Sequence, residues 1–250
     1  DAVRPGARVM ASGSGGYAEY AVADWGRVSP LPGRAMGWEA AATLPVALQT
    51  MHDAVVTNGR LAAGESILIQ GASSGVGLMG LQLARWRGAS VVIGTSTHPD
   101  RRARLGEFGA TLALDTRDPR WPDQVREATG GRGVDVIVDQ LSASVANGNL
   151  QAAAVLGRIV NVGRLGGSKG EFDFDLHAFK RVTYIGVTFR TRSVEEVRAI
   201  NRRMREDLWD LVTRGELRIP IHSVHALDQV GEALATMRSN QHFGKIVLLP

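Results

Sequence analysis

The ten residues from Gly71 to Gly80, Gly-Ala-Ser-Ser-Gly-Val-Gly-Leu-Met-Gly, admit three different chemistries. Gly75, Gly77 and Gly80 fit the GxGxxG fingerprint of a dinucleotide loop. Gly71, Gly75 and Gly77 fit the GxxxGxG loop of short-chain dehydrogenases, and Gly71, Ser73 and Gly75 fit the GxSxG nucleophile elbow of a hydrolase. A hydrolase would follow Ser73 with an acid and a base, for which Asp139 and one of His222, His225 or His242 stand in a permissible order. No HGGG-type oxyanion stretch precedes Ser73, so the elbow is the weaker reading. The short-chain pattern needs a lysine four positions after a tyrosine, and Tyr17, Tyr20 and Tyr184 all lack one.

The dinucleotide reading has the physics in its favour. The apolar run Ser66-Ile-Leu-Ile-Gln70 predicts a buried parallel strand, and a helix is expected from Gly75. Gly75 would allow the tight turn, Gly77 the approach of backbone to a pyrophosphate, and Gly80 close helix–sheet packing. Free amides and the positive end of the dipole at the N-terminus of that helix would receive the phosphates. An NAD site carries Asp or Glu about 20 residues further on. Here that distance reaches Thr95-Ser96-Thr97, with Arg101 and Arg102 just beyond. Hydroxyls and cations suit a 2′-phosphate, so the expected cofactor is NADP(H). The alternative is that both arginines decorate the first turn of a surface helix beside Asp100.

The elements that would position this loop alternate. After it come Ser90–Thr95, a helix from Pro99, Thr111–Asp115, a helix near Trp121–Gly130, Val134–Asp139, a helix near Ala143–Val155 and Gly157–Gly163. Such βα repetition predicts an α/β fold with a doubly wound parallel Rossmann sheet. Asp1 to about Thr43 reads instead as short strands and turns, with the alternating run Gly16–Asp24 among the strands. Val194, Val197, Ile200, Met204, Leu208 and Leu211 recur at helical spacing and are expected in the core.

Composition bounds the rest. The chain has 250 residues, 44% of them hydrophobic, and no apolar run approaches the length of a bilayer span. With no cysteine, disulfides, thiolate catalysis and cysteine-held zinc are excluded. His222 and His225 form HxxH without a third ligand nearby, so no metal site is expected. The N-terminal stretch resembles no secretory signal and reads as an interior start, and a cytoplasmic setting is expected. The formal charge is +4, but basic residues are interspersed with acids, as in Arg202–Asp210, which argues against nucleic acid as a main partner.

Gly15–Asp24, Ala41–Thr50, Gly71–Ala84, Gly133–Asp139, Gly157–Gly163, Gly186–Ser193 and Phe243–Pro250, in this order, resemble the zinc-independent quinone oxidoreductases of the medium-chain dehydrogenase/reductase superfamily. The resemblance implies a partial GroES-like β-rich catalytic domain at 1–46, an NADP-binding Rossmann domain at 47–187, and a segment at 188–250 returning to the catalytic domain. It implies NADPH-dependent hydride transfer to a quinone or another α,β-unsaturated carbonyl, without metal. The alternative is an NADPH-binding or RNA-binding module with lost or weak turnover. Relatives in that family carry a sizeable portion ahead of the position of Asp1, so a fragment, a truncation or a divergent form is expected. Carried onto this chain, the cofactor positions are Thr50, Gly75, Val76, Gly77, Thr97, Arg101, Gln140, Val162, Gly163, Arg164, Phe189, Asn240 and Lys245; Thr95 and Ser96 join them from the strand-end reading above. Thr50, Arg164 and Arg190 are the candidates for polarising the acceptor. The family's edge strand implies a homodimer through residues 182–189.

Overall fold

A computed structural model describes residues 3–33 and 36–250. Asp1, Ala2, Arg34 and Ala35, all within the expected 1–46 segment, lie outside the described residues. The strands in chain order are β1 (Val9–Ala11), β2 (Val28–Pro30), β3 (Ser66–Ile69), β4 (Val91–Thr95), β5 (Leu112–Leu114), β6 (Val134–Asp139), β7 (Ala153–Asn161), β8 (Thr183–Gly186), β9 (Ile221–Ala226) and β10 (Lys245–Leu249). The helices are α1 (Trp38–Thr43), α2 (Pro45–Met51), α3 (Gly75–Trp86), α4 (Pro99–Ala103), α5 (Trp121–Glu127), α6 (Ala146–Ala152), α7 (Phe174–Lys180), α8 (Val194–Thr213) and α9 (Val230–Arg238). The chain divides into two compact units, Thr50–Thr188 on one hand and Asp1–Gln49 with Phe189–Pro250 on the other.

The central unit, Thr50–Thr188, holds a six-stranded sheet in the order β5-β4-β3-β6-β7-β8, and every pairing in it is parallel. All four residues of β3 are buried, as expected of a strand covered on both faces. Leu68, Ile93, Ile137 and Ile159 meet Trp121, Val125 and Leu150 in one core cluster. The chain starts at β3, runs outward to β5, then returns to β6 on the other side of β3. That reversal opens a crevice beyond the strand C-termini, where ligands bind in open α/β sheets.

α3 begins where Ser74 caps it, its hydroxyl accepting from the Gly77 amide at 3.0 Å. A Cβ at Gly80 would lie 3.0 Å from Met51 Sδ and 3.4 Å from Ile69 Cδ1, so the missing side chain lets the helix lie close on β3. α2 does not end at Met51 but widens into a π-helical segment, His52–Asn58, closed by the Gly59 amide on the Ala54 carbonyl at 2.8 Å.

In the other unit, β1 pairs antiparallel with β2, and β10 pairs parallel with β9. The 20-residue α8 starts with a capping box between Ser193 and Glu196. Val197, Ile200, Met204, Leu208 and Leu211 are buried as the spacing predicts, whereas Val194, first in the helix, stays 47% exposed. Arg198 grips Asp24 through two bonds of 3.0 and 2.6 Å. The run Gly16–Asp24 differs from expectation. It joins no strand ladder among the described residues, and Tyr17, Tyr20 and Val22 point to solvent. Alternation marks a chain suited to a half-buried strand, but a strand forms only where a partner supplies the hydrogen bonds.

Candidate dinucleotide site

The loop from β3 to α3 carries its left-handed residue at Gly71, with φ +67°. Gly75 is the first residue of the helix, where the sequence places its start, and the turn falls before it. Gly77 is where nothing larger fits: a Cβ there would come within 2.7 Å of Ala72 Cα and the Gly71 carbonyl oxygen. The first-turn amides of Gly75 and Val76 precede the helix's own ladder and face the loop mouth as donors, as at any helix N-terminus. The arrangement fits a pyrophosphate: bare backbone, free amides and a positive dipole end in one place.

At the end of β4, Thr95 and Ser96 are buried and Thr97 is exposed. Ser96 Oγ donates to Ser73 Oγ at 3.0 Å, tying this strand end to the loop. Arg102 turns inward, donating to the Ser96 carbonyl at 2.9 Å and to Asp115 at 3.0 Å. Arg117 takes the same carboxylate at 2.7 Å and the Thr97 carbonyl at 2.5 Å. The Arg117 bond is the main cause that holds the Asp115 carboxyl down at about 2. Two arginines therefore share one acid. Arg101 is half-buried, and burial lowers its affinity for the proton it carries. No described carboxylate belongs to the strand end itself, so the cluster is net cationic where a ribose substituent would lie.

Beyond β6, Gln140 is buried and ties the loops together. Its Nε2 donates to the Gln70 and Gly71 carbonyls at 3.0 and 3.3 Å, and its Oε1 accepts from Ser74 Oγ at 3.0 Å. The Val162 amide donates to the Asp139 carbonyl at 2.7 Å. A Cβ at Gly163 would lie 2.7 Å from the Gln140 carbonyl oxygen. Arg164 is exposed and reaches back to the Val162 carbonyl at 3.3 Å. Gly75, Val76, Gly77, Thr95, Ser96, Thr97, Arg101, Gln140, Val162, Gly163 and Arg164 thus gather along the C-terminal ends of β3, β4, β6 and β7. Thr50, half-buried in α2, belongs to the same unit. Phe189, Arg190, Asn240 and Lys245 belong to the other unit. There Arg192 lies over the Phe189 ring at 5.5 Å, and burial pushes the Lys245 ammonium to a lower pKa.

Several side chains of the crevice were not singled out from sequence as cofactor residues: Ser73, Ser74, Gln70, Ser142, Asn149 and Asn161. Gln70 and Asn161 share a legible signal, a polar residue closing an otherwise apolar parallel strand. Asp139, the acid of the hydrolase alternative, is bound instead to the Leu141 and Ser142 amides at 2.8 and 2.9 Å. Burial is the main influence on its carboxyl and pushes the pKa up against those bonds.

Comparison with known proteins places this geometry. The family model described as zinc-binding dehydrogenase matches residues 75–206. The highly reducing polyketide synthase ZEA2 of Gibberella zeae is 31% identical over 251 residues, covering 98% of this chain and 10% of that protein. The chain therefore spans about a tenth of the length of the curated relatives it matches. A probable oxidoreductase from Mycobacterium abscessus superposes with a TM-score of 0.83 at 29% identity, covering 99% of this chain and 74% of the other. The CurF ER cyclopropanase from the curacin A biosynthetic pathway gives 0.76 at 27% identity, over 90% and 66% of the two chains. Despite the name of the matching family, the described residues contain no group of three His, Cys, Asp or Glu able to hold a metal ion. They do not fit a zinc centre. Fold, crevice and family model agree, and this chain belongs to the zinc-binding dehydrogenase family, within the medium-chain dehydrogenase/reductase superfamily.

Proposed function

We propose that this chain binds NADP(H) in the crevice of its central unit and takes part in reducing an α,β-unsaturated carbonyl, a quinone or an enone. The observation that carries the reading is the pairing of two features at the C-terminal side of one sheet: bare backbone at Gly77 with first-turn amides at Gly75 and Val76, and hydroxyls with Arg101 at the end of β4. Gly75 and Val76 would hold the pyrophosphate. Ser96, Thr97 and Arg101 would hold the 2′-phosphate, while Arg102 and Arg117, paired with Asp115, keep that strand end in place. Gln140, Val162 and Gly163 would border the nicotinamide half.

When bound, the nicotinamide supplies a hydride from C4. The chain's part is to orient donor and acceptor and to keep water out. A quinone oxyanion takes its proton from solvent, so no strong protein acid is needed. Thr50, Arg164 and Arg190 are the candidates for polarising the acceptor, and Phe189, Asn240 and Lys245 for completing the cofactor site. The names of the polyketide synthase relatives make an unsaturated acyl chain a natural member of the acceptor class. β8 is the edge strand of the sheet, and pairing of two copies along 182–189 would cover it. No helix of the described residues is long and apolar enough to cross a membrane.

The test is a titration with NADPH followed by its oxidation in the presence of a simple quinone, a simple enone and an enoyl thioester. Binding of NADPH more tightly than NADH, with turnover on one of the three, is expected. Absence of NADPH binding would overturn the reading, and light scattering of a monomer at micromolar concentration would overturn the dimer.

A further inference from the structure

We infer that Asn149, on α6 rather than on a loop of the crevice, is a positioning residue that couples the two halves of the dinucleotide site; the inference rests on the dinucleotide reading above. It follows from a single chain of buried hydrogen bonds. The Gly71 amide donates to Thr95 Oγ1 at 3.0 Å, Thr95 Oγ1 donates to Gln70 Oε1 at 2.7 Å, and Gln70 Nε2 donates to Asn149 Oδ1 at 2.7 Å. Asn149 Nδ2 then donates to Asp139 Oδ2 at 3.1 Å. Gln70, Asn149 and Asp139 are each 0% exposed and Thr95 1%, so no water can stand in for a lost link without a new cavity.

The chain has one direction. A carboxylate only accepts, so Asp139 requires the amide nitrogen of Asn149, which leaves the Asn149 oxygen for Gln70 and the Gln70 oxygen for the Thr95 hydroxyl. Bonds aligned in this way polarise one another in a low-dielectric interior. The two ends serve different parts of the crevice. At one end lie the phosphate loop and the end of β4, through Gly71 and Thr95. At the other, Asp139 Oδ1 fixes the turn after β6 through the Leu141 and Ser142 amides. Ser142 Oγ continues to the Gly163 carbonyl at 2.6 Å and accepts from Asn161 Nδ2 at 2.5 Å, so the end of β7 is held as well. Asn149 is the one side chain of the series that lies on an α-helix. Removing it breaks the buried side-chain link between the pair Thr95–Gln70 and the group Asp139–Ser142–Gly163, and leaves the Gln140 bonds to the Gln70 and Gly71 carbonyls as the remaining side-chain tie.

The prediction is therefore differential. In Asn149→Leu and Asn149→Ala, the Kd for NADPH should rise about tenfold, while the Kd for 2′,5′-ADP, which reaches only the adenosine half, should change by less than about twofold. Calorimetric titration of the full chain with each ligand reads this directly. Circular dichroism selects the folded variants, and alanine, which introduces no bulk, carries the test should leucine fail to fold. Equal losses for both ligands would show a merely structural role and overturn the inference, as would an unchanged NADPH affinity. A wild-type chain that binds neither ligand would overturn the dinucleotide reading itself, a result distinct from either.

Discussion

The molecule contains two parallel β arrangements that treat their side chains in opposite ways. In the central unit β3, β4 and β6 are almost wholly buried, and their polar residues stand at or near the strand ends: Gln70, Thr95 and Asp139 with Gln140 on the C-terminal side, and Ser66 and Asp135, bonded to each other at 2.7 Å, on the N-terminal side. In the other unit β9 alternates strictly between half-buried and exposed, and its polar residues His222, Ser223 and His225 are spread along the strand. Burial on both faces leaves a strand nowhere to put a polar group except its end. Three such C-terminal ends side by side gather polar groups in one place, whereas a strand with one wet face disperses the same residue types without bringing them together.

The sharpest way to test that contrast is to truncate one apolar residue in each arrangement. Leu68 is 0% exposed at the centre of the six-stranded sheet, and Val224 is 45% exposed on β9. Leu68→Ala should cost about 2–5 kcal/mol, and Val224→Ala should stay within about 0.5 kcal/mol of wild type. Urea denaturation of the two variants decides it, and comparable losses would sink the distinction.

Gly77→Ala probes the loop that the buried strand presents. The new methyl would press on backbone, at Ala72 Cα and the Gly71 carbonyl, neither of which can rotate away. Such overpacking costs about 1–3 kcal/mol, and here it should also weaken NADPH binding because the strained atoms belong to the phosphate loop. A variant as stable as wild type would mean that the loop yields more easily than its contacts indicate.

How far the sequence reveals this site depends on the range of the interaction. The uninterrupted apolar residues of β3 announce a covered parallel strand, and the glycines that follow announce a backbone site. Thr95, Ser96 and Arg101 can be named as candidates because a roughly fixed number of residues separates such a loop from the next strand end. The motif expects the tight turn at Gly75, and the left-handed residue of the loop is Gly71, because motif spacing does not encode φ. The bond between Gln70 and Asn149 joins residues 79 positions apart, and no local pattern announces it. Gly16–Asp24 shows the converse: its local pattern is clear, but pairing is decided by what lies beside it.

Charge extends the comparison between the units. Arg198 of the other unit is held by Asp24, whereas at the end of β4 Asp115 serves Arg102 and Arg117, and Arg101 is half-buried. Arg101→Ala should weaken NADPH by about 10- to 100-fold and leave NADH almost unchanged. Arg198→Ala should alter neither. Titration with both dinucleotides separates the cases, and an unchanged ratio in Arg101→Ala would remove the 2′-phosphate assignment.

The smallest expected effect concerns Asp115 itself. Its carboxyl is held at about 2 against an ordinary 3.8, chiefly by the Arg117 bond. A folded pKa below the unfolded one means that the carboxylate's contribution is complete above the unfolded value and is lost as pH falls through the folded one. Asp115→Asn lacks that contribution at every pH. The Tm of wild type should therefore exceed that of the variant by a constant small margin from neutrality down to about pH 4, and the margin should shrink below it. Salt should reduce the margin as well, since Arg117 is largely exposed, with 65% of its side chain accessible. A gap that persists or widens in acid would mean that Asp115 acts through shape and hydrogen bonding alone, and the strand end would then owe its order to packing rather than to its shared carboxylate.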